Sequence, residues 1–174
     1  NVLVVGIEIA SRLLDPHDLD SMILADGCGA VVLSKSAENK GVLSCATFSH
    51  AQGDVGNIYL GKSNNPEQSG NCWFKMNGKD VYRYATTWVP KVIKKALDKA
   101  NLSVEDVDMF LFHQANDKLI HAVAKNLSEL YETDLADFEG KLPMTIQFLG
   151  NTSVATIPTM LDLILRGKLE GYEI

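Results

Sequence analysis

Cysteine is scarce and poorly placed for cross-linking: the 174-residue chain has three, Cys28, Cys45 and Cys72, an odd number at wide spacing with no CxxC pair. This excludes a disulfide framework and a zinc knuckle, and reduced thiols are expected. Positive charge is also short. Sixteen Lys and Arg stand against 22 Asp and Glu, a formal net charge of −6, which argues against nucleic acid as the main partner, since a phosphate-binding surface needs concentrated cations. No apolar run approaches the roughly 20 residues that span a bilayer, and the start lacks the charged, apolar and small-residue regions of a secretory signal. No membrane association is expected, and the cytoplasm is the expected compartment. The chain opens without Met in the strand-like run Val2–Val5 and closes at Gly171–Ile174 with neither capping nor tail composition, so it is expected to be part of a longer protein.

The composition that is present, 46% hydrophobic and 22% charged, suffices for one sizeable core. Val2–Ile9 is rich in β-branched residues and reads as a buried strand. Met22–Leu24, Ala30–Leu33 and Gly41–Thr47 read as further strands, with the turn residues Asp26-Gly27-Cys28-Gly29 between the first two. His50–Cys72, rich in Gly, Asn, Ser and Gln, reads as a surface excursion facing substrate. From Lys79 to Ala100 the apolar positions Val81, Tyr84, Ala85, Trp88, Val89, Val92, Ile93, Ala96 and Leu97 recur at three and four, which predicts an amphipathic helix kinked or split by Pro90. Ser103 with Asp106 resembles a capping box and suggests a short helical turn before a strand at Met109–Phe112. A helix follows Asn116 and runs to about Leu130, and another begins after Ser153. Alternating strands and helices indicate a layered α/β domain.

Two polar clusters precede helices: His113-Gln114-Ala115-Asn116 and Gly150-Asn151-Thr152-Ser153, the latter following the apolar run Ile146–Leu149 taken as a strand. Side chains at strand carboxyl ends and helix amino termini in α/β sheets face ligand crevices and favour developing negative charge. A neutral imidazole and a carboxamide both donate hydrogen bonds to one oxygen, which would stabilise an enolate. The plainer reading is also open, in which the His is a satisfied core residue or cap and the Asn is an N-cap.

These stretches carry a resemblance. Phe112–Asn116 and Gly150–Pro158 are similar to the histidine and asparagine motifs of the β-ketoacyl-[acyl carrier protein] synthase III family of thiolase-fold condensing enzymes, in the family's order and approximate spacing. Ala25–Leu33 resembles that family's glycine-rich strand turn, and Lys75–Ala85 the start of one of its helices. The resemblance covers nearly the whole chain. It implies the carboxyl-terminal half of a thiolase-like layered sandwich (residues 50–174, truncated before its last strands), preceded by the terminal strands of the amino-terminal half (residues 1–49).

By the same resemblance the parent is an acyltransferase of fatty-acid chain initiation or a related pathway, carrying out decarboxylative Claisen condensation of an acyl thioester with malonyl-[acyl carrier protein]. His113 and Asn151 would be catalytic, holding the malonyl thioester oxygen as carbon dioxide leaves. Gly78, Ala115 and Asn116 would contact the phosphopantetheine arm, and Lys118 the acidic carrier protein. No metal or bound cofactor is implied beyond substrates carried as coenzyme A and phosphopantetheine thioesters. The partners implied are acyl carrier protein, acyl-coenzyme A and a second copy in a homodimer. The family's nucleophilic cysteine lies upstream of the strand that begins here at Val2, and none of the three cysteines matches it, so the chain alone is expected to be inactive. Other thiolase-superfamily synthases, of resorcinol, quinolone or hydroxymethylglutaryl type, share the cysteine, histidine and asparagine set. A non-catalytic partner subunit is the remaining alternative. Asp26 is read as a turn former, and His17, His50 and His121 as non-catalytic.

Overall fold

The computed structural model describes residues 1–38, 40–70 and 72–173. The β-branched run at the start forms β1 (Val2–Glu8), which pairs antiparallel with β2 (Gly27–Leu33), Val2 opposite Leu33 and Glu8 opposite Gly27. The sheet rests on the 3-10 turn Ser153–Ala155 and on α4 (Thr156–Leu165). Contact there is so close that a Cβ on Gly6 would lie 2.2 Å from the carbonyl oxygen of Val154. Only a residue without a side chain fits. The expectation that Val2–Ile9 is buried does not hold: within β1 only Gly6 is buried, and Val2, Leu3, Val4, Val5 and Ile7 are exposed. The sheet has two strands, and no further strand joins either edge among the described residues.

β3 (Ile58–Gly61) and β4 (Trp73–Met76) form a second antiparallel pair. β3 lies inside the stretch read as a surface excursion, whose Asn71 falls outside the described residues; its four residues pair with β4 rather than forming open loop. A buried ionic network fixes the hairpin. Asp15 is inaccessible to solvent and Lys75 nearly so. The Lys75 ammonium donates to Asp15 (2.6 Å), Asp18 (2.7 Å) and the Asn64 side chain (3.0 Å). The Asp15 carboxylate also accepts from Asn64 N–H (2.7 Å), Ser63 Oγ (2.9 Å) and His17 N–H (3.1 Å). Every charge in the cluster is thus met by an opposite charge or a dipole, as burial requires.

α1 (Gly78–Ala100) follows directly and is continuous over 23 residues. Pro90 does not split it into two helices. The ring removes the N–H that would bond the Thr86 carbonyl, and the side-chain amide of Asn126 donates to that carbonyl instead, at 2.8 Å. Asn126 belongs to α2 (Asp117–Tyr131), which packs on α1 and buries Ile120, Val123, Ala124 and Leu127. Both helices end on a left-handed residue, Asn101 and Glu132, whose backbone N–H groups close the last turn. Ala124 and Leu127 join Val104, Phe110 and Phe138 in a core cluster.

Several strands expected from the sequence are absent among the described residues, for one shared reason. Met109–Phe112 makes no ladder, its anchor being Phe110 N–H to the Lys141 carbonyl (2.9 Å). Gly41–Thr47 is likewise unpaired; Ser44 Oγ donates to the Ala96 carbonyl and Lys99 to that of Cys45, while His50 stacks on Trp88 with ring centroids 3.9 Å apart. Met22–Leu24 is largely the end of a 3-10 turn, Leu19–Ile23. An apolar β-prone run becomes a strand only where a partner backbone is present. At Ser103 the Asp106 carboxylate accepts from both N–H (2.8 Å) and hydroxyl (3.1 Å), but the segment is a turn without a helix.

The Pro90–Asn126 arrangement is testable by a double-mutant cycle. Asn126→Ala should cost about 1 kcal/mol in chemical denaturation, the typical net worth of such a bond. In a Pro90→Ala background, where the helix supplies its own N–H, the cost should fall by at least half. Equal costs in both backgrounds would show that the amide does not substitute for the missing donor.

Candidate active site

Gln114 organises the first polar cluster. It is wholly buried, and its amide is fully used: Oε1 accepts from the N–H groups of Thr145 (2.8 Å) and Ile146 (3.1 Å), and Nε2 donates to the carbonyls of Phe112 and Pro143, both at 3.3 Å. With Gln114 drawn inward, His113 and Ala115 on either side line an open cavity of about 920 Å³. Asn116 caps α2, its Oδ1 accepting from Leu119 N–H at 2.8 Å. The plainer reading of Asn116 as a cap is therefore correct, and the residue also lines the cavity.

The second cluster arrives differently from expectation. Ile146–Leu149, taken as a strand, is one helical turn, α3, built on the two N–H groups that Gln114 anchors. Gly150 follows at φ 70°, where a Cβ would meet that of Ala25 at 2.8 Å. Asn151 then bridges to the chain before β2: its N–H donates to the Ile23 carbonyl (2.8 Å) and its carbonyl accepts from Ala25 N–H (2.9 Å). Its side-chain Oδ1 accepts from Ser153 N–H at 3.0 Å, and Ser153 itself sits at φ 50°. An oxygen must face that N–H, so the amide orientation is chemically determined. Nδ2 makes no hydrogen bond among the described residues. Strained backbone held from both sides is a mark of functional loops.

His113 and Asn151 line the same cavity, together with Gly78, Ala115, Asn116 and Lys118, so all six site residues read from the sequence converge there. His113 Nδ1 lies 3.4 Å from Thr156 Oγ1, which is 3.3 Å from Thr152 Oγ1. The imidazole keeps accessible surface because the cavity is open, yet protein crowds the rest of the ring. That burial pushes its pKa below the ordinary imidazole value, opposed by a hydrogen bond with the Ser153 backbone. The ring is therefore neutral near pH 7. Apolar side chains, among them Leu14, Ile23, Leu24, Phe74, Val81 and Val89, form much of the wall. His17, His50 and His121 do not line the cavity, and neither do Cys28, Cys45 or Cys72. Asp26 accepts from Ser11 N–H (2.8 Å) and hydroxyl (2.6 Å), bonds that lower its pKa; it forms no turn, since β2 begins at Gly27, and instead ties the start of that strand to the 3-10 turn Ala10–Arg12.

Four polar lining residues outside the two motifs escaped sequence reasoning: Glu8, Asp20, Tyr82 and Asp117. Tyr82 was within reach, since it lies four residues after Gly78 and hence on the same helix face. Asp117 adjoins the His113–Asn116 motif. Glu8 and Asp20 carry no local signal and reach the cavity only through tertiary packing.

Two family models match, 3-oxoacyl-[acyl-carrier-protein (ACP)] synthase III over residues 1–51 and the C-terminal model of the same synthase over residues 97–172. The β-ketoacyl-[acyl-carrier-protein] synthase III of Acaryochloris marina is 39% identical over 177 residues, covering 95% of this chain and 50% of that protein. That of Limosilactobacillus reuteri is 37% identical over 176 residues, covering 97% and 52%. Among solved structures, 3-oxoacyl-(acyl carrier protein) synthase III from Pseudomonas aeruginosa superposes with TM-score 0.76 at 26% identity, over 95% of this chain and 49% of that one. The Aquifex aeolicus synthase gives 0.75 at 29%, over 97% and 50%. The fold is thus α/β of the thiolase-like class. Within that class the chain belongs to the 3-oxoacyl-[acyl-carrier-protein] synthase III family, and it spans about half the length of the curated relatives it matches.

Gln114 should prove essential to the architecture of the site. Gln114→Leu keeps bulk but leaves the Thr145 and Ile146 N–H groups buried without acceptors, and should destabilise the chain by about 2–4 kcal/mol, given about 1–3 kcal/mol for each orphaned group. Urea denaturation with an unchanged m-value would measure it. A loss under about 0.5 kcal/mol, within the range of ordinary surface substitutions, would mean the amide is not the anchor.

Proposed function

We propose that the chain supplies the decarboxylating half of an acyltransferase site that condenses an acyl thioester with malonyl-[acyl carrier protein] in fatty-acid chain initiation or a related pathway. The observation that carries this reading is the convergence of His113 and Asn151 on one cavity, with Asn151 Nδ2 making no hydrogen bond among the described residues. In the tautomer in which Thr156 donates to Nδ1, the neutral imidazole bears its proton on Nε2. Both nitrogens then donate to the malonyl thioester oxygen. The bond to the carboxylate breaks, carbon dioxide leaves, and the electron pair enters the thioester as an enolate that the two donors stabilise. The enolate carbon attacks the acyl carbonyl held on a cysteine, and the cysteine departs as thiolate. No cysteine of this chain lines the cavity, so the nucleophile in this scheme is a residue outside the 174.

Gly78, Ala115 and Asn116 are assigned to the phosphopantetheine arm, whose backbone-lined path needs small residues and amide groups. Lys118 on the cavity wall is assigned to an acidic carrier protein; as a point charge it lacks the bidentate fork of Arg. The division at residues 49 and 50, the homodimer, acyl-coenzyme A as acyl donor and a cytoplasmic setting belong to the same proposal.

In the full-length protein Asn151→Ala should slow malonyl decarboxylation about 10²- to 10³-fold, the usual effect of removing one oxyanion donor, while acylation by an acyl-coenzyme A is little changed. Equal losses in both half-reactions, followed by intact-mass detection of the acyl adduct and by carbon dioxide release, would refute the role. The pH profile gives a second check. The active imidazole is neutral and its pKa is depressed, so decarboxylation should persist as pH falls through the ordinary imidazole value of about 6.5 and decline only below it. A decline centred at or above that value would contradict the assignment.

A further inference from the structure

Behind His113 stands a line of hydroxyls with a closed end. Thr156 and Thr152 are both buried, at 3% and 5% exposure. Thr156 Oγ1 lies 3.4 Å from His113 Nδ1 and 3.3 Å from Thr152 Oγ1. Threonines in helices commonly turn the hydroxyl back on a carbonyl three or four residues earlier, as Thr86 and Thr87 do on α1, donating to Tyr82 and Arg83. Thr156, the first residue of α4, makes no such bond among the described residues and meets the imidazole instead. Thr152 Oγ1 has Thr156 as its one partner among the described residues. The carbon atoms of Thr152 pack against Gly27, where an added Cβ would lie 2.8 Å from both Cβ and Cγ2.

Two hydroxyl protons must be placed along this line, and their placement selects the tautomer of the ring. When Thr152 donates to Thr156 and Thr156 donates to Nδ1, every proton has an acceptor and only lone pairs on Thr152 go unused. When Nδ1 bears a proton and donates to Thr156, the line reverses, and the Thr152 proton has no acceptor among the described residues. A buried donor without an acceptor is the costlier defect, since an oxygen with an unused lone pair is the better tolerated of the two. We infer that Thr156 is a positioning residue, its hydroxyl, directed by that of Thr152, holding His113 in the tautomer that carries its proton on Nε2. For its purpose the inference rests on reading His113 as a donor to the thioester oxygen. The Ser153 backbone also bonds the ring and favours its charged form. The hydroxyl pair acts in the opposite sense, because an imidazolium would reverse the line.

The test combines nitrogen NMR of isotope-labelled histidine, at mildly alkaline pH where the ring is neutral, with kinetics of malonyl decarboxylation, both on the full-length protein. The His113 signals are assigned by their loss in His113→Ala. The parent should show a ring protonated on Nε2, with Nδ1 accepting a hydrogen bond. Thr156→Val keeps the volume and removes the hydroxyl. It should move the Nδ1 signal toward that of an unbonded nitrogen and lower kcat about three- to tenfold, the kinetic equivalent of one net hydrogen bond, with KM unchanged. Thr156→Ser should restore both the signal and kcat, and Thr152→Val should move the Nδ1 signal in the same direction as Thr156→Val by a smaller amount. Ring signals and kcat unchanged in Thr156→Val, or a Thr156→Ser variant that fails to match the parent, overturn the inference and leave the reading of His113 as a donor standing. A parent ring protonated on Nδ1 overturns both. Ring signals as expected with no decarboxylation by any form overturn the donor reading alone.

Discussion

The buried pairing of Lys75 with Asp15 and Asp18 is the constraint on which the rest of the arrangement depends. It joins three stretches distant in sequence: the turn at 15–18, the hairpin loop at 63–65, and β4. Because β4 runs into α1, the network also sets where Gly78 and Asp20 stand relative to each other. Burial alone would raise the Asp15 pKa, but the hydrogen bonds from Lys75, Asn64, His17 and Ser63 outweigh it and hold the carboxyl well below the usual range. Burial likewise pulls Lys75 down, and the two carboxylates outweigh it and raise it. The Asp15 contribution to stability is therefore complete above the unfolded carboxylate value near 4 and is lost as pH falls through the depressed folded value. That of Lys75 is complete below the unfolded value near 10.5 and is lost as pH rises through the raised one. Between these limits the network is constant and does not act as a switch.

The site depends on a second kind of constraint, a saturated amide. Gln114 has no bonding capacity left over, so it serves as scaffold, and its two neighbours in the motif are the residues that reach the cavity. The Asn151 loop is held by backbone bonds to Ile23 and Ala25 at one side and by Ser153 at the other. Donors prepared in this way lose little on reorganisation when charge develops between them, which is what makes preorganised polar groups effective.

Helices were readable from sequence because their signal is local: the three-and-four spacing of α1, α2 and α4 needs no knowledge of the rest of the chain. Strands were readable only in part: Val2–Ile9 and Ala30–Leu33 are β1 and most of β2, whereas a run such as Met109–Phe112 or Gly41–Thr47 has strand character only in relation to a neighbour. The short β3 was hidden among turn formers, and the helical turn Ile146–Leu149 looked like a strand because three apolar residues in four suit either period. The site was legible where chemistry is written in contiguous motifs, at His113–Asn116 and Gly150–Ser153. Asp20 was not, since its relation to Gly78 comes from the packing of a 3-10 turn on a helix 58 positions later.

The bond between Asn126 and the Thr86 carbonyl carries an implication for the family's history. Pro90 is tolerable inside α1 because a different helix provides the missing donor, so neither residue is optimal without the other. Substituting Asn126 first strands a carbonyl, whereas substituting Pro90 first merely leaves the amide redundant. The two positions should therefore drift together among relatives and in a preferred order, proline being exchanged before asparagine is released.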